Sequence, residues 1–330
     1  MTHTDDTSPA FIAHDIDDLF NALPTFLGFR PEESLVALAT HGPRRRFGFR
    51  LRIDIPDDPG DIDKAAAVVV HHVRNHAAEG IIALALTEKQ GIAHDLLAAI
   101  EALLDEIEPI ALARSDGDRY WVDVPGFPSE GIAYQTSDHH VSIVSAIAAG
   151  QEILPSREAL AERVAPPSGG RLEGLAEVYG RIWPEVLGVM GRHSDGLVDA
   201  ALEDLALVLK RIESGAHLTD EQTVRLCVWL SAADVRDAVW RRIADDTHEH
   251  WLRTLCHCAR HVLPTFAPSV LSLAAFTAWL HGHGALSLIA TERALEADPH
   301  HALGQLMLQV LDNGVPPPSW RDPDERRSTG

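Results

Sequence analysis

The residues best placed for chemistry are carboxylates and arginines at the ends of strand-like runs. Asp54 and Asp57 close the alternating run Phe47–Ile55, Thr87 and Glu88 follow Ile81–Leu86, and Ser115 and Asp116 follow Ile110–Arg114. Several carboxylates at one sheet edge are hard oxygen ligands of the kind Mg²⁺ takes. Arg52 beside them would bind an anion or orient a carboxylate. The turn from Leu27 to Ser34, shaped by Gly28 and Pro31, adds Arg30, Glu32 and Glu33. Arg30, Glu33, Arg52, Asp54, Glu88 and Asp116 are therefore the candidate ligand-binding residues. Acidic loops and an Arg–Asp pair on a solvated strand account for the same residues without a ligand, and both readings stand. No catalytic residue is assigned, and no metal or cofactor is expected.

Histidines cluster twice. His72 and His76 share one helical face at i, i+4, but the Glu of a His-Glu-x-x-His metal helix is absent. The second group is His248, His250, Cys256, His257, Cys258 and His261. His250, His257 and His261 share a face, whereas Cys256 and Cys258 point to opposite faces. Zinc needs three or four convergent ligands, so these read as helix-surface histidines. Arg44-Arg45-Arg46 sits at a hairpin tip with Arg50 and Arg52 on the next strand. A basic β-ribbon of this kind can touch nucleic acid, and a charge-protected hairpin edge is the plainer use. No Gly-x-Ser-x-Gly elbow occurs, and no Gly-x-Gly-x-x-Gly follows a strand, so hydrolase and dinucleotide readings lack their usual motifs.

The elements that must position these residues alternate in the first half. The pattern predicts a short helix over Asp15–Leu27 with Asp15 as N-cap, a buried strand over Ser34–Thr40 and an alternating strand over Phe47–Ile55. In that second strand Phe47, Phe49, Leu51, Ile53 and Ile55 face one way. A helix over Asp61–Glu79 closed by Gly80, a central strand Ile81–Leu86, a helix Ile92–Ile107 and a hairpin around Asp116-Gly117 follow. The order β-β-α-β-α-β-β implies a mixed sheet whose second, third and fourth strands run parallel through two right-handed crossovers. Their carboxyl ends then converge, as ligand-binding edges of open α/β sheets do. If both crossovers step the same way along the sheet, both helices fall on one face, which leaves the other to the helical half or to the N-terminal helix.

Beyond the linker Pro166-Pro167-Ser168-Gly169-Gly170 only helices are expected. The fold class is thus α/β plus all-α: a mixed-sheet domain over 12–164, a helical domain over 171–315, and disordered tails at 1–11 and 316–330. Ser269–His301 resembles one tetratricopeptide-type hairpin, with Gly282 in its turn, Ala294 at a close-packing position and Pro299 at its end. An ordinary αα-hairpin and a peptide-binding repeat both fit that spacing.

The chain has 330 residues, a net charge of −21 and 45% hydrophobic residues, enough apolar material for a sizeable core. Residues 1–164 hold −14 of that charge and 165–330 the other −7, which disfavours bulk nucleic-acid binding. Three cysteines make no disulfide framework, which points to the cytoplasm. The acidic start reads as no signal peptide. The uncharged stretch 262–290 is broken by Pro264, Pro268, Gly282 and Gly284, so two buried helices are expected there rather than a membrane span.

Several segments together carry a resemblance: Leu27-Gly28-Phe29-Arg30-Pro31-Glu32-Glu33-Ser34-Leu35-Val36, Arg52-Ile53-Asp54-Ile55-Pro56, Leu154-Pro155-Ser156-Arg157-Glu158, Val235-Arg236-Asp237-Ala238, and Glu292-Arg293-Ala294-Leu295 to Asp298-Pro299. The chain resembles the actinobacterial family catalogued as domain of unknown function 4192, from about Asp15 to Arg321. The resemblance implies a bacterial cytoplasmic protein and no particular activity. Gly126-Phe127 stands where members often have Cys-Cys, and His283 where many have an acidic residue. The expected function is a cytoplasmic binding or regulatory protein that engages another protein through its helical domain. The alternatives are an enzyme or small-molecule binder with an acidic, divalent-cation site at the carboxyl edge, or nucleic-acid contact through Arg44–Arg52.

Overall fold

The computed structural model describes residues 13–243 and 249–317. The tail expected at 1–11, all but the first two residues of the one expected at 316–330, and His248 of the second histidine group lie outside the described residues. The chain divides into two units, residues 1–157 and 158–330.

The first unit is built from α1 (Ile16–Leu27), β1 (Ser34–His41), β2 (Arg46–Asp54), α2 (Ile62–Asn75), β3 (Gly80–Leu86), α3 (Gln90–Leu103), β4 (Glu108–Ser115), β5 (Arg119–Val122), β6 (Ile132–Ala133) and α4 (Val141–Ala148). Helix α1 starts where expected: the Asp15 carboxylate accepts from the Asp18 N–H at 2.9 Å, and Gly28 closes the helix in the left-handed region. Helix α2 ends earlier than the sequence suggests. The chain leaves it at His76, Ala77 takes a positive φ of 48°, and Gly80 opens β3 instead of capping α2. A Cβ at Gly80 would lie 2.6 Å from Ile110 and 2.8 Å from the Thr40 hydroxyl, so only glycine lets β3 start between them.

The six strands lie in the order β2-β1-β3-β4-β5-β6. Strand β1 is antiparallel to both β2 and β3, and β3 pairs parallel with β4. The second, third and fourth strands therefore do run the same way, but β1 sits between the second and third. The two-residue β6 is too short to leave a periodic signal and was not anticipated. Both crossovers step in one direction, which puts α2 and α3 on one face. There Val69, Val70, Val73, Leu96, Leu97 and Ile100 pack on Leu35, Ala37, Ile81, Ala83 and Ala85. The opposite face is covered by α1, whose Leu19, Phe20 and Leu23 meet Val36, Leu38, Ile82 and Leu84.

One expected strand face is wrong. The β1–β2 register slips between Leu38 and Thr40, so that Leu38 faces Arg50 while Thr40 faces Phe47. This bulge sends Phe47 to the α1 side, where it meets Phe26 edge-on at 5.3 Å, while Leu51 and Ile53 stay on the α2 side. Arg50 goes with Phe47. Its guanidinium lies over the Phe26 ring and donates to the Phe26 carbonyl at 3.0 Å.

Helix α5 (Arg157–Ala161) begins at the division, and the second unit continues with α6 (Gly169–Arg192), α7 (Leu197–Asp204), α8 (Ala206–Glu213), α9 (Asp220–Leu230), α10 (Ala233–Ile243), α11 (His250–Ala259), α12 (Ala267–Leu280), α13 (Gly284–Ala297) and α14 (Ala302–Asp312). Helices α7 and α8 follow each other directly, broken only at Leu205. Helix α12 is buried along nearly its whole length, and Ser287 of α13 donates to its Ala275 carbonyl at 2.8 Å. Gly304 lets α14 close on Leu295 and Ala294 of α13. Residues 262–290 are thus two packed helices, and no helix among the described residues is long and apolar enough to cross a membrane.

Candidate functional site

The register carries the predicted edge across the sheet: Asp54 faces Ser34, Ser34 faces Leu86, and Leu86 faces Ser115. Asp54, Glu33, Glu88 and Asp116 therefore all lie along one edge. What they do there differs along its length.

On the β2–β1–β3 stretch two cations pair with carboxylates. The Arg52 side chain, only 13% exposed, donates from Nε to the Ser34 hydroxyl at 2.8 Å and pairs with Asp54 at 2.7 Å. Glu33 is held in the left-handed region, φ 42°, an uncommon conformation for a residue with a side chain. Its carboxylate accepts from the buried Thr87 hydroxyl at 2.8 Å and from the Glu88 N–H at 3.3 Å. Lys89 reaches Asp57 at 2.5 Å and Glu33 at 3.5 Å. Those contacts hold the Lys89 ammonium above, and the Asp57 carboxyl below, their ordinary ranges. These groups staple β1 to the β3–α3 loop, and Glu88 takes part there through its backbone N–H.

Arg30 is not at this edge cluster. It pairs with Asp138, and its N–H bonds to the Leu154 carbonyl at 3.0 Å, beside a bridge between Phe29 and Leu154. Asp116 stands in the turn after β4. One of its oxygens caps the β4–β5 turn by accepting from the N–H groups of Asp118 and Arg119 at 3.0 and 2.8 Å.

At this β4–β5–α1 stretch the chain gathers an acidic and aromatic patch that the sequence pattern did not disclose. Phe20 lies 5.5 Å from Tyr134 and 6.3 Å from Tyr120. Tyr120 lies 6.0 Å from Tyr134 and 5.9 Å from Phe127. The Tyr134 hydroxyl is bonded to Ser115 at 2.8 Å. Burial first, then the fields of Asp17 and Asp15, push the Tyr120 phenol above its ordinary value. Burial, with Asp116, Asp17 and Asp118, does the same to Tyr134. Burial and the neighbouring Asp15 and Asp18 raise Asp17 itself, and its Oδ1 is buried with no hydrogen-bond donor. The signal available in the sequence was the run Asp15-Ile16-Asp17-Asp18-Leu19-Phe20. Without the fold nothing links it to Tyr120 and Tyr134.

Among the described residues, no group of three or more His, Cys, Asp or Glu side chains is placed to hold a metal ion. His76 stacks on Phe49 at 3.8 Å, and His257 on His261 at 4.0 Å. The arginine ribbon is largely committed within the chain: Arg45 pairs with Glu108 at 2.7 Å, Arg50 donates to the Phe26 carbonyl, and Arg52 pairs with Asp54.

A family model described as Domain of unknown function (DUF4192) matches residues 17–318. No curated protein and no solved structure matches the chain.

Proposed function

The chain belongs to the domain of unknown function 4192 family, and on that premise we propose that it is a cytoplasmic binding protein whose α/β unit takes an organic cation. The family description transfers no activity, so the reading rests on geometry. The observation that carries it is the meeting of aromatic rings with carboxylates that have no cation of their own. Phe20, Tyr120, Phe127 and Tyr134 pack together beneath the fields of Asp15, Asp17, Asp116 and Asp118, and the buried Asp17 oxygen lacks a donor. Ring faces attract alkylated ammonium and guanidinium groups, and nearby carboxylates add to that attraction. A metal ion fits less well, because rings supply no oxygen ligands. The unpaired cysteines support the cytoplasmic part of the reading.

Titration calorimetry with tetramethylammonium and methylguanidinium as probes, and Mg²⁺ as control, tests this. Binding of the organic cations should weaken about 5–30-fold in Asp17→Asn and in Tyr120→Leu, the equivalent of ~1–2 kcal/mol. Equal affinity of wild type and both variants, or binding of Mg²⁺ alone, ends the reading.

The helical unit carries a second reading, the docking of a protein partner. Its supporting observation is Leu306, 45% exposed on α14, the last described helix of the repeat-like stack. A photo-crosslinking side chain at position 306 should give one discrete adduct in cells. A diffuse smear would count against it.

A further inference from the structure

We propose that Ser142, His140 and Asp18 form a nucleophile–base–carboxylate relay that cleaves carboxylic esters. The three side chains make one hydrogen-bonded chain. Ser142 Oγ lies 2.7 Å from His140 Nδ1, and His140 Nε2 lies 3.0 Å from Asp18 Oδ1. Their chemistry fixes the protons. The Asp18 oxygen can only accept, so Nε2 carries the ring hydrogen. Nδ1 then presents its lone pair to the Ser142 hydroxyl and, at 3.4 Å, to the Ser142 N–H. Asp18 is itself fixed by the His14 N–H at 2.8 Å, and that bond, followed by the one from His140, holds its carboxyl below the ordinary carboxylate range. The order hydroxyl, imidazole, ionised carboxylate is the one that activates a serine, and it is recognised by geometry rather than by sequence motif.

The surroundings supply the other requirements. Ser142 stands in the first turn of α4, where the N–H groups of Val141 and Ile143 have no acceptor inside the helix and the helix dipole favours negative charge. A carbonyl oxygen becoming an oxyanion beside Ser142 would meet those groups. The serine is 7% exposed, while Val141, Val144 and Ile147 leave α4 exposed by 66, 49 and 56% along one stripe. An acyl or alkyl chain laid on that stripe brings its ester carbonyl to the helix start.

The reaction balances with water as the only co-reactant. Ser142 Oγ bonds to the carbonyl carbon while its proton moves to His140 Nδ1, and Asp18 stabilises the imidazolium through Nε2–H. The C–O bond to the leaving alcohol breaks, and the alcohol takes the proton from Nδ1. Water then attacks the acyl-serine with His140 as base, releasing the carboxylic acid and restoring the hydroxyl. The step does not depend on cation binding at Tyr120 and Tyr134.

The test uses the full chain with a fluorophosphonate probe and p-nitrophenyl butyrate. Mass spectrometry should find one phosphonyl group per chain on Ser142, and hydrolysis should fall about 10³–10⁴-fold in Ser142→Ala and in Asp18→Asn. His140→Asn keeps a side chain able to cap α4 but removes the base, so it should melt like wild type and lose both labelling and turnover. Folded wild-type protein without label on Ser142 overturns the proposal. So does wild-type hydrolysis no faster than that of Ser142→Ala. Labelling of the wild type stands as a test even where a variant misfolds.

Discussion

Two stretches of one sheet edge carry similar residue types to opposite ends. On the β2–β1–β3 stretch both cations are paired with carboxylates: Arg52 with Asp54, and Lys89 with Asp57 and Glu33. On the β4–β5–α1 stretch the carboxylates accumulate around Tyr120 and Tyr134, and Asp17 is pushed toward its protonated form. Compensated charge at a half-buried edge stabilises a fold, whereas uncompensated charge is a standing cost that ligand binding can relieve. The six residues singled out from sequence fall mostly on the compensated side. The stretch more suited to a ligand is the one whose members come from α1, the β4–β5 turn, β5 and the residues on either side of β6.

The largest expected effect lies on the compensated stretch. Arg52→Ala removes the charged donor to the Ser34 hydroxyl, which keeps its own bond to the Glu32 carbonyl, and the partner of Asp54, and should lower unfolding stability by about 1.5–3 kcal/mol in urea denaturation. Thr87→Val keeps the shape but removes the hydroxyl that donates to Glu33 and accepts from the Lys89 N–H at 3.0 Å. It should cost about 1–2 kcal/mol in the same assay. If both substitutions are silent, these residues are not a staple and the contrast between the two stretches collapses.

How much of this was legible follows from what sets each feature. Strand direction, the two crossovers and the shared edge came from local patterning, because apolar runs and caps such as Asp15 act over a few residues. The insertion of β1 between β2 and β3 did not, since hairpin and crossover lengths permit either order. Nor did the reversed face of Phe47, which depends on one extra residue opposite Ala39. Of the candidate site, Asp54, Glu88 and Asp116, expected at one edge with Arg52 nearby, do lie along one edge. Their pairing was invisible because Thr87, Ser34 and Lys89 are ordinary loop and strand residues until the register joins them. Arg30 lies apart from these residues, because it pairs with Asp138, which is 108 residues away in sequence.

Acid sharpens the contrast provided that the helical unit is separated from it. Burial, then His261 and Arg260, hold His257 down to about 4, and burial likewise lowers His261 and His301. These rings stay neutral in the fold while the unfolded chain takes protons near 6.5. Their contribution is therefore intact above that value and is lost as pH falls from about 6.5 toward 4. Thermal melts over that window should show the loss in wild type and a smaller one in His257→Gln. An unchanged slope in the variant would place the acid sensitivity elsewhere.

Asp17→Asn is the smallest and most discriminating change. The Asp17 carboxyl is raised by burial and by Asp15 and Asp18, so the folded state holds its proton more tightly than the unfolded chain does. The stability this contributes is present below the unfolded value of about 4 and is lost as pH rises through the folded value. At neutral pH the ionised group is therefore a burden, and asparagine removes it. The variant should gain up to about 0.5 kcal/mol at pH 7, and the gain should shrink as pH falls below about 4. Stabilisation together with weaker binding of tetramethylammonium is the signature of a side chain kept for a ligand at the expense of the fold. Destabilisation would make Asp17 a structural residue like Arg52, and the two stretches of the edge would then be alike.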